Sequence, residues 1–229
     1  MPTLIRASAF AALFLAACGG ATVSSSPTPT DTAAAATPAP SATVAASSGS
    51  SWTVTSASKA TVKVREQLVG VSLPSDAVLT ASGAAGAFAL NADGTFSSDS
   101  KITFDLTTLS SDQRDRDNFV KQDTLGVRQF PTATFVPTKV TGLTLPMPAS
   151  GSFTFTLSGK LTIHGTTKDV TFDVTAKRDG SNLTATSTNN PTFKFADFGM
   201  KAPSVPFRVV SVVDEIRLAV DLVATGPTS

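Results

Sequence analysis

This 229-residue chain contains one cysteine, one histidine, one tryptophan and no tyrosine. A single thiol cannot form an intramolecular disulfide, so covalent stapling plays no part in the fold. With only His164 and no second sulfur ligand, the Cys/His sets that hold zinc or haem are missing. Charge is also scarce, at 15% of residues, with 18 basic against 17 acidic side chains. A nucleic-acid partner would demand a basic surface, and this balance supplies none. Long apolar runs are absent too. The longest, Ala7 to Ala17, is about eleven residues, against the roughly 20 that a membrane-spanning helix needs.

That run has its own meaning. Arg6, a short apolar stretch and small residues before a break are the three parts of a secretory signal. Leu15-Ala16-Ala17-Cys18 resembles the bacterial lipobox, in which the cysteine thiol receives a diacylglycerol before cleavage. The sequence therefore predicts a signal peptide over residues 1–17 and a lipidated Cys18. Two acyl chains give stable attachment where one is marginal. The expected product is an exported lipoprotein, anchored to the membrane at the cell envelope. Loss of Arg6 with the leader would leave its charged side chains in balance. Gly19 to Ser51 follows, almost entirely Ala, Ser, Thr, Pro and Gly, with Asp31 its single charge. Such a segment buries too little apolar surface to offset chain entropy, which predicts a disordered tether. Its typical reach is about 30 Å by coil scaling.

From Trp52 to about residue 225 the pattern has period two. Ile102, Phe104 and Leu106 alternate with Thr103, Asp105 and Thr107. Phe153, Phe155, Leu157, Leu161 and Ile163 keep one parity, as do Val170, Phe172, Val174 and Ala176, and Ile216, Leu218, Val220 and Leu222. Alternation places each apolar set on one face of a sheet. His164 to Lys168 separates two such runs, predicting a hairpin over 152–177. Gly159, in the apolar parity, predicts a bend or bulge. One segment, Ser110 to Gln122, is charged and free of Pro and Gly. It predicts a helix of about three turns capped by Ser110 or Ser111, with Leu109, Phe119 and Val120 facing inward. A single all-β domain over 52–225 follows, either a sandwich or a closed barrel, and the long arms favour the barrel.

Several motifs in this order resemble the YceI-like, polyisoprenoid-binding family. They are Trp52-Thr53-Val54, Phe130-Pro131-Thr132-Ala133-Thr134-Phe135, Leu161 to Lys168 (Leu-Thr-Ile-His-Gly-Thr-Thr-Lys), Ala196-Asp197-Phe198-Gly199 and Asp214-Glu215-Ile216-Arg217-Leu218. The resemblance implies an eight-stranded antiparallel lipocalin-like barrel with one short helix. It also implies an exported protein that holds a long isoprenoid in an apolar pore. At the start of the helix, the family's histidine position falls on Asn118 and its leucine on Phe119. Asn118 carries no charge, so a neutral prenyl chain or quinone is favoured over a phosphate-bearing lipid.

The candidate residues follow from parity and from that resemblance. Phenylalanine has a large apolar surface with no polar group to satisfy, which suits the wall of a hydrocarbon pore. Phe104, Phe119, Phe135, Phe155 and Phe172 are the expected wall. His164, Arg114 and Asn118 are candidates for contact with a head group or for a lid, although a turn role for His164 and a solvated helix face explain them as well. No catalytic triad, metal set or cofactor motif accompanies them. The expected activity is therefore non-enzymatic binding, storage or presentation of an isoprenoid, with the membrane as the other partner and dimerisation left open. The rival readings are a structural module with a filled core, and an enzyme, which would need a convergent polar cluster inside the pore.

Overall fold

The computed structural model describes residues 50–227. The expected signal peptide, Cys18 and most of the tether lie outside the described residues. Strand β1 (Ser50–Val54) already includes Ser50 and Ser51, so ordered structure begins inside the expected tether. It is held there by pairing, Ser50 opposite Leu90 and Ser51 opposite Ala89.

The remaining strands are β2 (Lys59–Leu68), β3 (Ser75–Leu90), β4 (Lys101–Ser110), β5 (Thr132–Thr141), β6 (Ser150–Ile163), β7 (Thr166–Asp179), β8 (Asn182–Ser187), β9 (Thr192–Phe193) and β10 (Val209–Thr225). Antiparallel pairing runs β2–β3–β4–β5–β6–β7–β8–β10 and returns from β10 to β2. These eight strands form a closed ring, the expected barrel. Closure leaves no free edge to pair with another chain. The short strand β9 adds to β10, and β1 bridges the ends of β3 and β10.

The hairpin of β6 and β7 pairs without interruption from Ser150 opposite Asp179 to Ile163 opposite Thr166. Its turn is only two residues, shorter than expected. His164 and Gly165 both have positive φ, 50° and 74°. That geometry matches the twist of the flanking strands, and glycine adopts it at no steric cost. Gly159 does not mark a bulge on its own strand. The irregularity lies opposite, between Pro137 and Lys139 of β5. Gly159 is needed for a different reason, because a Cβ there would lie 2.4 Å from the Phe135 ring.

The helix is shorter than the sequence suggests. Strand β4 continues to Ser110, which pairs with Thr80, and α1 spans only Arg114–Phe119. A wider turn over Val120–Thr124 follows, closed by the Leu125 N–H on the Val120 carbonyl at 2.8 Å. The N-cap is Gln113, not Ser110 or Ser111. Ser111 instead shapes the bend before the helix. Its hydroxyl accepts the Gln113 N–H at 3.1 Å and donates to buried Asp117 at 2.6 Å.

The two ends of the barrel differ. One is closed by Trp52 of β1, fully buried, with the Arg178 guanidinium 5.0 Å from its ring centroid. Arg178 is itself buried and donates to the carbonyls of Met147 and Gly180, both at 2.9 Å. The other end carries α1, the loop between β2 and β3 and the start of β10. It forms the mouth of the candidate site.

Candidate functional site

Two chambers occupy the barrel. The inner one has a volume of about 160 Å³, and Thr134 and Ser187 are the only residues with side-chain hydroxyls among its lining. Among the described residues, no charged one lines it. The outer one, beneath α1, has a volume of about 720 Å³. Val62, Leu106, Leu109, Ile163 and Leu218 belong to the walls of both, so the chambers adjoin end to end. The inner volume compares with a dry cavity of ~150 Å³ that binds benzene. The outer volume falls within the range of roughly 300–1,000 Å³ typical of ligand pockets.

Strand parity places the expected wall. Phe104, Phe135, Phe155 and Phe172 line the inner chamber, where Phe135 and Phe172 meet edge to face at 5.8 Å. Phe119, on α1, lines the outer chamber instead. Phe88 and Phe96, which the sequence did not single out, complete the inner wall near its closed end, 6.2 Å apart and edge to face.

The room itself comes from small residues. Ala60 of β2, Ala81 of β3, Ala133 of β5 and Ala185 of β8 all face the inner chamber. Each stands where the alternation of its strand would admit a larger side chain. A barrel of eight strands is just wide enough to fill with side chains or to hold one ligand. Alanine at these positions leaves part of that interior unfilled.

The three expected polar contacts do not reach either chamber. His164 sits in the two-residue turn, its Nδ1 3.2 Å from the Phe198 carbonyl and its ring 4.5 Å from that of Phe130. Arg114 and Asn118 lie on the exposed side of α1. The residues of α1 that line the outer chamber are Asp115, Arg116 and Phe119, with Val120 next after them, so the expected inward Phe119 and Val120 are in place and Arg116 joins them.

Arg116 forms the polar feature of the outer chamber. One Nη meets the Glu66 carboxylate on β2, and the other donates to Asp112 at 2.6 Å and to Ser111 at 3.2 Å. The Glu66 side chain is only 8% exposed and that of Arg116 only 16%, so this pair is shielded from water. The hydrogen bond from Arg116 holds the Asp112 carboxyl below its ordinary pKa, against a smaller opposing effect of desolvation. Nothing in the sequence pattern linked Glu66 to Arg116, 50 residues apart. Only β2 and α1 meeting at the mouth brings them together.

The rim beyond this pair is mainly apolar, interrupted by Arg208 and Asp115, which are exposed and pair with each other at 3.1 Å. Val69, Val71 and Leu73 follow β2, Val78 lies on β3, and Phe207, Val210 and Val213 mark the start of β10. All are exposed, Phe207 at 96%. Val69, Val71 and Phe207 also line the outer chamber, so part of the exposed apolar surface is continuous with the cavity wall. Asp197, by contrast, lines neither chamber; its carboxylate accepts the Lys194 N–H at 2.8 Å and lies 3.9 Å from the Lys168 ammonium.

A family model for the YceI-like domain matches residues 52–224. A curated relative from Pseudomonas putida strain F1, a UPF0312 protein, is 37% identical over 128 residues, covering 48% of this chain and 61% of the relative. Another from Pseudomonas fluorescens strain SBW25 is 35% identical over 133 residues, covering 52% of this chain and 66% of the relative. The chain thus spans less than two thirds of the length of these relatives. Among solved structures, a polyisoprenoid binding domain from Saccharophagus degradans superposes with a TM-score of 0.58 at 12% identity, covering 77% of this chain and 98% of that one. BcnA of Burkholderia cenocepacia gives 0.52 at 22% identity, covering 73% and 96%. Both likenesses are to the fold.

Proposed function

The chain belongs to the YceI-like domain family, and on that premise we propose that it binds a long-chain isoprenoid, non-enzymatically, within the two chambers. The observation that carries this reading is an inner chamber without a charged residue that opens into a larger one. Burial of each ligand carbon contributes about 0.8 kcal/mol, so a prenyl tail needs no ionic contact to bind tightly. Chemistry on a substrate would need convergent polar groups; the inner chamber offers only Thr134 and Ser187, and the charged residues of the outer one are paired with each other, Arg116 with Glu66 and Arg208 with Asp115. Val69, Val71 and Phe207, exposed at the mouth and lining the outer chamber, give the tail an apolar path from a lipid phase into the barrel.

The second part of the proposal concerns place. An export signal and a lipid on Cys18 would tie the domain to the cell envelope. The chain enters the barrel through β1, at the end opposite the mouth. The barrel is on the order of 40 Å long, from the length of β10 and a typical strand tilt. A tether from Cys18 to Gly49 can extend to roughly 110 Å. It is long enough to let the mouth turn back to the anchoring bilayer, and too short for the domain to leave it.

Titration with polyprenols of increasing length tests the binding reading. Affinity is expected to climb with each added isoprene unit until the chambers are full, then to level off. No binding, or no dependence on length, would overturn it.

A further inference from the structure

Resting on that reading, we infer that the head group of the bound isoprenoid is uncharged: the site takes a prenyl alcohol or quinone and rejects a prenyl pyrophosphate. Two cations line the chambers, Arg116 and Arg208. Arg208 is 72% exposed and pairs at the surface with Asp115, at 3.1 Å. Among the described residues, Arg116 is the one cation shielded within the cavity wall, and three of its five N–H donors are engaged by Glu66, Asp112 and Ser111. Around it stand the carboxylates of Glu66, Asp112 and buried Asp117, so the local balance is negative. A pyrophosphate brought against the guanidinium would be repelled by these carboxylates and would compete for it with Glu66. That carboxylate makes no other side-chain hydrogen bond among the described residues, and it would be left buried without its partner.

The loss of one partner from a buried ion pair is among the most costly changes in a protein interior. An uncharged head avoids it. A hydroxyl or quinone carbonyl needs only one donor or acceptor, and Gln113 and Thr124 stand among the residues lining the outer chamber, so a neutral head does not require the pair to open. The arrangement therefore selects by desolvation and repulsion, with the tail supplying the affinity.

The test compares a polyprenol, a prenylated quinone and a polyprenyl pyrophosphate of matched chain length, each titrated into the full chain at neutral pH. The neutral ligands are expected to bind about a hundredfold or more tightly than the pyrophosphate, the factor that corresponds to breaking such a pair. Glu66→Gln frees Arg116 and should raise pyrophosphate affinity, shrinking the ratio by at least about tenfold. Asp112→Asn, at an exposed position, should shift it in the same direction by less. A variant that merely misfolds would lower both affinities and could not imitate a gain. Equal or tighter binding of the pyrophosphate by the unaltered protein would overturn the inference while leaving the isoprenoid reading standing. Failure of all three ligands to bind would overturn both.

Discussion

Consider leucine in place of Ala81, which is 2% exposed on β3 and faces the inner chamber. The substitution adds three carbons to the wall of a cavity of about 160 Å³. A space of this size accepts roughly six ligand carbons, by comparison with the benzene-sized cavity. In the empty protein the added carbons bury themselves in vacant apolar space. At about 0.8 kcal/mol each, the gain is at most about 2.4 kcal/mol, reduced by any strain at the new rotamer. A prenyl tail then loses the same three carbons' worth of burial, so its affinity falls by about 2.4 kcal/mol, or roughly fiftyfold. Urea denaturation of the empty protein and titration with a polyprenol read the two effects separately. Stability and affinity should move in opposite directions. If the barrel were instead a filled core, the same leucine would overpack it and cost about 1–3 kcal/mol of stability. That loss, or an unchanged affinity, would refute the account of a vacant chamber that holds the tail.

Other perturbations address the remaining parts. Trp52→Ala removes the closed end of the barrel and the partner of Arg178 and should cost about 3–5 kcal/mol in chemical denaturation; a loss below about 1 kcal/mol, the scale of an ordinary surface change, would show that β1 is dispensable. His164→Asn puts the preferred Asn-Gly pair into the two-residue turn, and polyprenol affinity should not change, because His164 lines neither chamber. Acid should destabilise the fold. Hydrogen bonding from Arg217, the largest influence, with help from Arg65, holds the Asp76 carboxyl below its ordinary pKa, and Arg116 does so for Asp112. Carboxyls depressed on folding stabilise fully above their unfolded pKa, about 3.9 for Asp, and lose that contribution as pH falls through the folded values. Stability should therefore decline below about pH 4, less steeply in Asp76→Asn; an unchanged slope would remove the Arg217 pair from the account. Cys18→Ser should move the protein from the membrane to the soluble fraction, and retention on the membrane would contradict a lipid anchor.

The parts of this fold that were legible in the sequence are those whose alternation is long and uninterrupted. Strands β6 and β7 pair over fourteen residues each without a slip, and their parity placed Phe155 and Phe172 correctly on the inner wall. Strand β3 shows why the rest was hidden. Its buried residues are Ala77, Leu79 and Ala81, then Ala84, Phe88 and Leu90. Parity switches at Ser82 and Gly83, where the register with β4 shifts and Gly83 adopts φ 68°. Together with an inward face made largely of alanine, that switch erased the pattern, and Phe88 went unnoticed with it. The helix was misjudged for a related reason. Serine and aspartate before a charged run signal a cap, yet the strand partner of Ser110 outweighed that local preference. Leu109, Phe119 and Val120 still face inward as expected, but the polar residue beside them is Arg116 and not Arg114 or Asn118. The cavity itself has no sequence signature, because it is a property of which small residues face which large ones across the closed ring.

Native mass spectrometry of the protein purified from the cells that make it bears most directly on the central claim that the barrel holds an isoprenoid. The account predicts a one-to-one complex whose added mass belongs to a prenyl lipid, with species differing by whole isoprene units and none carrying a pyrophosphate. Repeated recovery of an empty barrel that takes up no added prenyl lipid, or of one filled by straight-chain fatty acids, would contradict it.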